Sequence, residues 1–134
     1  MASGSRLSFL DSSAIVKLAV REPESTALRK YLSRRRPLVA SALARAEVGR
    51  ALLPRGEAGA RQAVEVLGQI ERVRINDRVL TDAALLLPWE LRSLDAIHLA
   101  TARLFGDEVA RVVTYDERMA DAARELGMTV VAPA

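Results

Sequence analysis

The sequence contains no cysteine and a single histidine, His98. Without cysteine, the chain can form neither a disulfide framework nor a thiolate metal site. Long apolar segments are also missing, because the longest uncharged apolar run, residues 83–89, is interrupted by Pro88 and is far shorter than the roughly 20 residues that span a bilayer. The first residues do not combine a basic segment with a long apolar stretch. We therefore expect a cytoplasmic protein that does not enter a membrane.

The length and composition are those of one globular domain. A chain of 134 residues that is 50% hydrophobic can build a core without disulfides, so we predict a single domain over residues 1–134. Apolar runs alternate with helical patterns, which favours an α/β fold with a central, mostly parallel sheet. The predicted strands are 6–10, 38–40, 72–75, 112–114 and 129–131. The predicted helices are 12–20, 24–33, 42–53, 57–70, 77–87, 94–105 and 117–126, with Ser41 as an N-cap and with Gly106 and Gly127 just past helix ends.

Two acidic residues follow predicted strands, and two more lie on predicted helices. Asp11 comes directly after the first strand and Asp116 just after the fourth, at the strand ends where open α/β sheets bind ligands. Glu47 lies on the apolar face of its helix, and Asp95 opens another. Two unit charges about 4 Å apart repel by roughly 4 kcal/mol at an effective dielectric near 20. Grouped carboxylates therefore predict a bound cation.

Each acid also has an ordinary structural explanation. Asp11 and Asp116 are in positions typical of N-caps, and Asp95 would be stabilised by the positive end of its helix. One shared cation explains all of them together. Because cysteine is absent and histidine is scarce, the ligands would be oxygens, which suit Mg²⁺ or Mn²⁺ better than Zn²⁺.

Glu47 needs a partner because a buried carboxylate is seldom left unpaired. Arg45 and Arg50 on the same helix offer a structural ion pair as an alternative to the cation. His98 lies three residues after Asp95 on the same helix face, and as a lone histidine we interpret it as packed or as a hydrogen-bond donor to a ligand rather than as a ligand.

An acidic metal site of this kind activates water and neutralises phosphoryl charge, which favours phosphodiester hydrolysis. A phosphomonoesterase is an alternative. An aspartyl phosphatase of the haloacid-dehalogenase type, however, needs a second aspartate two residues after Asp11, where this chain has Ser13.

The basic residues are nearly all arginines, with Lys17 and Lys30 as the exceptions. Arginine presents a flat fork that suits phosphate and favours a nucleic-acid partner, although a GC-rich coding sequence gives the same bias. Arg34, Arg35 and Arg36 form a candidate RNA-backbone contact. A solvated turn explains the same run equally simply.

The chain resembles the PIN-domain ribonucleases, specifically the VapC-type toxins of bacterial toxin–antitoxin pairs, in an ordered set of motifs: FLDSSA at 9–14, Glu47 in a small-residue helix, LDAIHLA at 94–100 and TYDERM at 114–119. The resemblance implies a three-layer α/β/α fold and Mg²⁺- or Mn²⁺-dependent endoribonuclease activity on RNA. It also implies a homodimer and inhibition by a VapB-like antitoxin.

The same resemblance assigns four acids to the catalytic metal site: Asp11, Glu47, Asp95 and Asp116. Asp11 and Asp95 would bind the ion directly, and the other two would act through water. Ser13 and Thr114 would support the site by orienting a carboxylate or water. A PIN-like module that binds nucleic acid or a partner protein without cutting remains the alternative.

A helical hairpin over residues 54–68 would help to hold the antitoxin, by the same resemblance. Its apolar strip consists of Ala63, Val64 and Leu67. The strip fits a plain core equally well.

Overall fold

A five-stranded parallel sheet forms the centre of the protein. The computed structural model describes residues 6–134. Residues 1–5, which belong to the predicted domain, lie outside the described residues. The strands are β1 (Leu7–Leu10), β2 (Leu38–Ser41), β3 (Glu71–Val73), β4 (Val109–Val113) and β5 (Val130–Val131). Their order is β3-β2-β1-β4-β5, and each neighbouring pair is parallel. The predicted fold class is confirmed.

Helices connect the strands in the predicted order. They are α1 (Ser12–Ala19), α2 (Ser25–Leu32), α3 (Ala44–Leu52), α4 (Gly56–Leu67), α5 (Asp77–Leu85), α6 (Ser93–Arg103) and α7 (Glu117–Glu125), with short 3-10 turns at Leu53–Arg55 and Gly106–Glu108. Gly106 and Gly127 have φ angles of 53° and 83°, as predicted for residues past helix ends. Across residues 6–134, these helices are too short or too polar to cross a membrane.

Ser41 was the wrong choice of N-cap for α3. It is the last residue of β2, and α3 begins three residues later at Ala44 with Leu43 at the N-cap position. The Ser41 hydroxyl accepts a hydrogen bond from the Leu43 N–H at 3.1 Å, so it stabilises the turn between strand and helix instead. The cause of the error is an additional turn that the local sequence does not mark.

The helices cover both faces of the sheet. Alternate strand residues point to opposite faces, so Leu10, Ala40 and Val113 pack in one cluster with α1, α2, α3 and α4. Phe9 and Val112 pack on the other face in a cluster that includes Ala102 of α6. A third cluster joins α6 to α7, and α5 packs against α6. The result is the three-layer α/β/α arrangement that the family resemblance implied.

The chain changes direction across the sheet beside β1. From β1 it proceeds to β2 and β3 on one side, and the later strands β4 and β5 lie on the other. The carboxyl ends of β1 and β4 therefore flank the crevice where such sheets bind ligands.

Candidate active site

All four predicted acids line one cleft of about 280 Å³ at the carboxyl ends of β1 and β4. Asp11 follows β1, Glu47 comes from α3, Asp95 from the first turn of α6, and Asp116 precedes α7. The other lining residues are Ser12, Ser13, Val16, Ala51, Arg92, His98 and Met119. Separate stretches of the sequence are thus brought together as predicted.

Asp11 is the most deeply buried acid of the cleft, with 3% of its surface exposed. Its Oδ1 accepts hydrogen bonds from the Ser13 hydroxyl at 2.7 Å and the Ala14 N–H at 3.1 Å, and its Oδ2 accepts one from the Thr114 hydroxyl at 2.6 Å. Burial raises the pKa of Asp11, and these hydrogen bonds oppose that rise only in part. The N-cap explanation is correct for Asp11, but the same carboxylate also faces the cleft.

Glu47 is fixed by two donors that meet at one oxygen. Its Oε1 lies 2.6 Å from His98 Nε2 and 2.6 Å from the Ser12 hydroxyl. Burial disfavours the charged form, but His98 and Ser12 outweigh it, so the pKa of Glu47 lies below its ordinary value. A carboxylate only accepts, so His98 Nε2 carries the hydrogen. Within residues 6–134, neither Arg45 nor Arg50 forms an ion pair with Glu47, and that alternative was wrong.

His98 has the role that the sequence suggested. It is 1% exposed and packs inside the protein while donating to Glu47. Its Nδ1 is buried without a hydrogen-bond partner among the described residues.

The Asp95 carboxylate accepts fewer hydrogen bonds than the carboxylates of Asp11 and Glu47. Its side chain is 13% exposed, and its Oδ2 is buried without a hydrogen-bond partner among residues 6–134. Arg92 Nε lies 3.5 Å from that oxygen, close enough for electrostatic attraction but not for a well-formed hydrogen bond. Burial and the nearby charge of Asp116 raise the pKa of Asp95.

Asp116 is the N-cap of α7, as one of the two explanations for it predicted. Its Oδ1 accepts hydrogen bonds from the Arg118 N–H at 2.9 Å and the Met119 N–H at 3.3 Å. Its own N–H donates to the Thr114 hydroxyl at 3.0 Å. Thr114 therefore links Asp11, at the end of β1, to Asp116, just after β4, through hydrogen bonds to both residues.

The acids share a cleft without forming a complete set of metal ligands. Among the described residues, no three histidine, cysteine or acidic side chains are grouped closely enough to hold a metal ion by themselves. Mg²⁺ is commonly held by one or two carboxylates, with water and substrate phosphate as further ligands. The buried Asp95 Oδ2, which lacks a donor, is the kind of oxygen that such an ion would contact. The donor chemistry therefore fits Mg²⁺ or Mn²⁺ with an incomplete protein shell.

Arg34, Arg35 and Arg36 are not brought to the cleft. They precede β2, so they lie at the opposite end of the parallel sheet from the strand ends that carry Asp11. The Arg35 guanidinium stacks on the Tyr31 ring at 3.9 Å and donates to the Tyr31 carbonyl at 2.8 Å. An RNA contact by these arginines stays a prediction.

The sequence analysis did not predict two polar residues of the cleft. Ser12 directly follows Asp11, and its hydroxyl donates to Glu47 across 35 residues of sequence. Arg92 lies one turn before Asp95 and lines the cleft beside it. The sequence signal for Arg92 is its spacing of three from Asp95, which places both side chains on one side of the start of α6.

A family model and a named relative each match most of the chain. The PIN domain family model matches residues 8–125. The chain is 60% identical to Ribonuclease VapC46 of Mycobacterium tuberculosis over 125 residues, covering 93% of this chain and 96% of that protein.

Solved structures share the fold. VapC20 of Mycobacterium tuberculosis, a sarcin–ricin-loop-cleaving toxin, superposes with a TM-score of 0.73 at 18% identity, over 94% of this chain and 99% of that one. A toxin–antitoxin complex from Klebsiella pneumoniae gives a TM-score of 0.72 at 22% identity, over 95% and 98%. From the match to the family model and the identity to VapC46, the chain belongs to the PIN-domain family and, within it, to the VapC ribonucleases.

Proposed function

We propose that the protein is a Mg²⁺- or Mn²⁺-dependent endoribonuclease, a single PIN domain over residues 1–134 that acts as the toxin of a VapBC-like toxin–antitoxin pair. The observation that carries the proposal is the convergence of four acids in one cleft of a chain 60% identical to a ribonuclease. RNA as substrate also supports a cytoplasmic location.

Asp11 and Asp95 are the residues that would hold the ion. When bound, the ion lowers the pKa of water and neutralises charge on the phosphodiester. Ser13 and Thr114 keep both oxygens of Asp11 oriented through hydrogen bonds of 2.7 and 2.6 Å. These contacts prevent the carboxylate from rotating away from the cleft.

Glu47 and Asp116 act through water in this scheme. His98 and Ser12 occupy Oε1 of Glu47 and keep that carboxylate ionised, so it can accept hydrogen bonds from water in the cleft. Asp116 is fixed by backbone donors of α7. Both carboxylates can therefore orient the water that attacks the phosphodiester.

Metal-dependent cleavage is the direct test. The purified protein, free of antitoxin, is incubated with total RNA in Mn²⁺ or in EDTA, and we expect discrete fragments in Mn²⁺ alone. Asp11→Asn should lower the rate at least about 100-fold, because several kcal/mol of transition-state stabilisation depends on the ion. Circular dichroism checks that the variant is folded.

The matched control is Asp82→Asn, because Asp82 is an acid in a surface pair with Arg78 away from the cleft. It should cleave like the wild type. Wild-type rates in Asp11→Asn, or equal cleavage in EDTA, would contradict the mechanism. RNA binding without fragments would favour the non-catalytic module, and hydrolysis of a chromogenic phosphate monoester instead of RNA would favour a phosphatase.

An antitoxin partner is supported by the likeness in fold to a toxin–antitoxin complex and by the exposed side of the α3–α4 hairpin. Ala63 and Leu67 are buried in the core, whereas Val64 is 74% exposed and Leu53 is 64% exposed. We propose that a VapB-like antitoxin contacts this exposed side. The apolar strip predicted from the sequence is thus divided between core and surface.

A homodimer is supported by a second exposed apolar segment between α5 and α6. Leu85, Leu87 and Trp89 are 76%, 65% and 82% exposed, which is unusual for residues so close together in a monomer. Light scattering should give twice the mass of the chain, and Trp89→Glu should reduce it to one. A wild-type protein that stays monomeric at micromolar concentration would contradict the dimer.

A further inference from the structure

A groove of about 540 Å³ runs beside the acidic cleft, between the start of α6 and α7. Arg92 and Asp95 line both the cleft and the groove, so the two spaces meet at this pair. A single strand of RNA whose phosphate reaches Asp95 would place its neighbouring nucleotide in the groove. This inference rests on the proposed function, because it concerns how the same substrate is held.

Arg92 is suited to contact a phosphate. Its side chain is 65% exposed, and its one ion pair among the described residues uses Nε, at 3.5 Å from Asp95. The terminal nitrogens of the guanidinium form no hydrogen bond within residues 6–134. They can therefore donate as a fork to two phosphate oxygens.

Apart from Arg92 and the exposed Arg118, the lining of the groove does not suit a phosphate. Glu90, Asp121 and Glu125 line it as exposed acids, and all three would repel the RNA backbone. Pro88, Leu91 and Ala122 add apolar surface to the same groove. Single-stranded RNA is recognised through unstacked bases whose Watson–Crick edges are hydrogen-bonded, a contact that carboxylates beside an apolar surface can make.

The chemistry of the acceptors selects among the bases. A carboxylate has two adjacent acceptor oxygens and no donor. Guanine presents two adjacent donors, N1–H and N2–H₂, on its Watson–Crick edge, so it matches a carboxylate better than uracil, which has one donor between two acceptors.

We propose that this groove is a nucleotide subsite that determines specificity. Arg92 binds the phosphate next to the scissile bond, and the groove between Glu90 and Glu125 accepts a guanine base. Arg92 gives affinity for any RNA, and the two glutamates give preference for one base.

Binding of labelled RNA in EDTA tests the subsite independently of cleavage. The probes are two single-stranded 12-mers, one of uridine alone and one with a single central guanosine, measured by fluorescence anisotropy over a salt series. The wild type should bind the guanosine probe about tenfold more tightly, a ratio within the range of one good bidentate contact. Equal binding of both probes by the wild type would overturn the subsite.

Arg92→Gln should weaken binding of both probes by the same factor, about five- to tenfold. The slope of log affinity against log salt should become shallower by about 0.7, as expected when one arginine no longer neutralises a phosphate of single-stranded nucleic acid. Arg78→Gln is the matched control, because it removes an exposed arginine from a surface pair on α5 and should change nothing. An unchanged slope in Arg92→Gln would overturn the phosphate contact.

The double variant Glu90→Gln with Glu125→Gln shows whether the two glutamates bind the guanine base or only repel the RNA backbone. Recognition predicts that the tenfold preference for guanosine falls to about twofold or less. If the acids only repel RNA, both probes will bind more tightly and the ratio will stay the same, which would overturn the base site. Absence of metal-dependent cleavage by the wild type would contradict the proposed function instead, and these titrations would still decide the subsite.

Discussion

Glu47 and Asp95 face the same cleft, but the protein holds them in opposite ways. Glu47 receives two hydrogen bonds of 2.6 Å, from His98 and Ser12, and its pKa is lowered. Asp95 keeps a buried oxygen without a donor among the described residues, and burial together with Asp116 raises its pKa. One carboxylate is stabilised by two short hydrogen bonds, and the other has only the looser 3.5 Å ion pair with Arg92, so a cation would stabilise it further.

The difference assigns different tasks to the two acids. A carboxylate already saturated on one oxygen is fixed in place and suited to orienting water. A carboxylate with a buried, unpartnered oxygen is suited to direct contact with an ion. Asp11 combines features of both acids, because both of its oxygens accept hydrogen bonds as in Glu47, whereas burial raises its pKa as in Asp95.

The largest predicted effect distinguishes the two acids by cleavage. Asp95→Asn removes a proposed direct ligand and should lower the rate of RNA cleavage at least about 100-fold, whereas Glu47→Gln should cost about tenfold because it acts through water. Initial rates on one RNA substrate in Mn²⁺ measure both. An equal loss of cleavage rate in the two variants would contradict the assignment of different roles to Asp95 and Glu47.

The next effect concerns the histidine that positions Glu47. His98→Leu removes the donor at similar volume and should lower cleavage by up to about tenfold, no more than Glu47→Gln, because His98 acts through that carboxylate. His98→Gln keeps an N–H near the position of Nε2 and should recover most of that loss. If the two variants are equally impaired, His98 serves packing alone.

The smallest effect is on stability, and it should have opposite signs for the two acids. The hydrogen bonds of Glu47 stabilise the fold once it is ionised, so Glu47→Gln should lower the Tm in EDTA at pH 7 by about 3 °C, or about 1 kcal/mol. That loss should disappear as the pH falls below the ordinary pKa of 4.5 and through the lowered folded value.

Asp95→Asn should instead raise the Tm in EDTA at pH 7 by about 1 °C, because the ionised form is disfavoured in the folded state. The gain should shrink as the pH falls through the raised folded pKa and vanish below the ordinary Asp pKa of 3.8, where the carboxyl is protonated in both states. Thermal melts of both variants between about pH 3.5 and 7 measure the two curves. A change in Tm of the same direction for both variants at pH 7 would contradict the comparison.

The sequence was sufficient to predict the elements and the gathering of the acids, for a simple reason. Apolar runs with residues such as Asp11 directly after them mark strand ends, and parallel topology brings those ends to one edge. Element order also determines which end of the sheet a residue occupies. That rule, applied to Arg34, Arg35 and Arg36, places them before β2 and away from the cleft.

Side-chain partners could not be predicted in the same way. Arg45 and Arg50 were considered as partners of Glu47 because they are near in sequence, but the actual partners are Ser12 and His98, which are 35 and 51 residues away. Contacts between distant elements depend on the packing of α1, α3 and α6. A local pattern carries no information on that packing.

The decisive experiment for the metal site is a crystal of the wild-type protein soaked in MnCl₂ and measured for anomalous scattering. We predict a manganese peak in the cleft about 2.1 Å from Asp95 Oδ2, with an oxygen of Asp11 as a second ligand. A cleft with no manganese at saturating concentration, or a peak bound only by residues outside the cleft, would contradict this prediction.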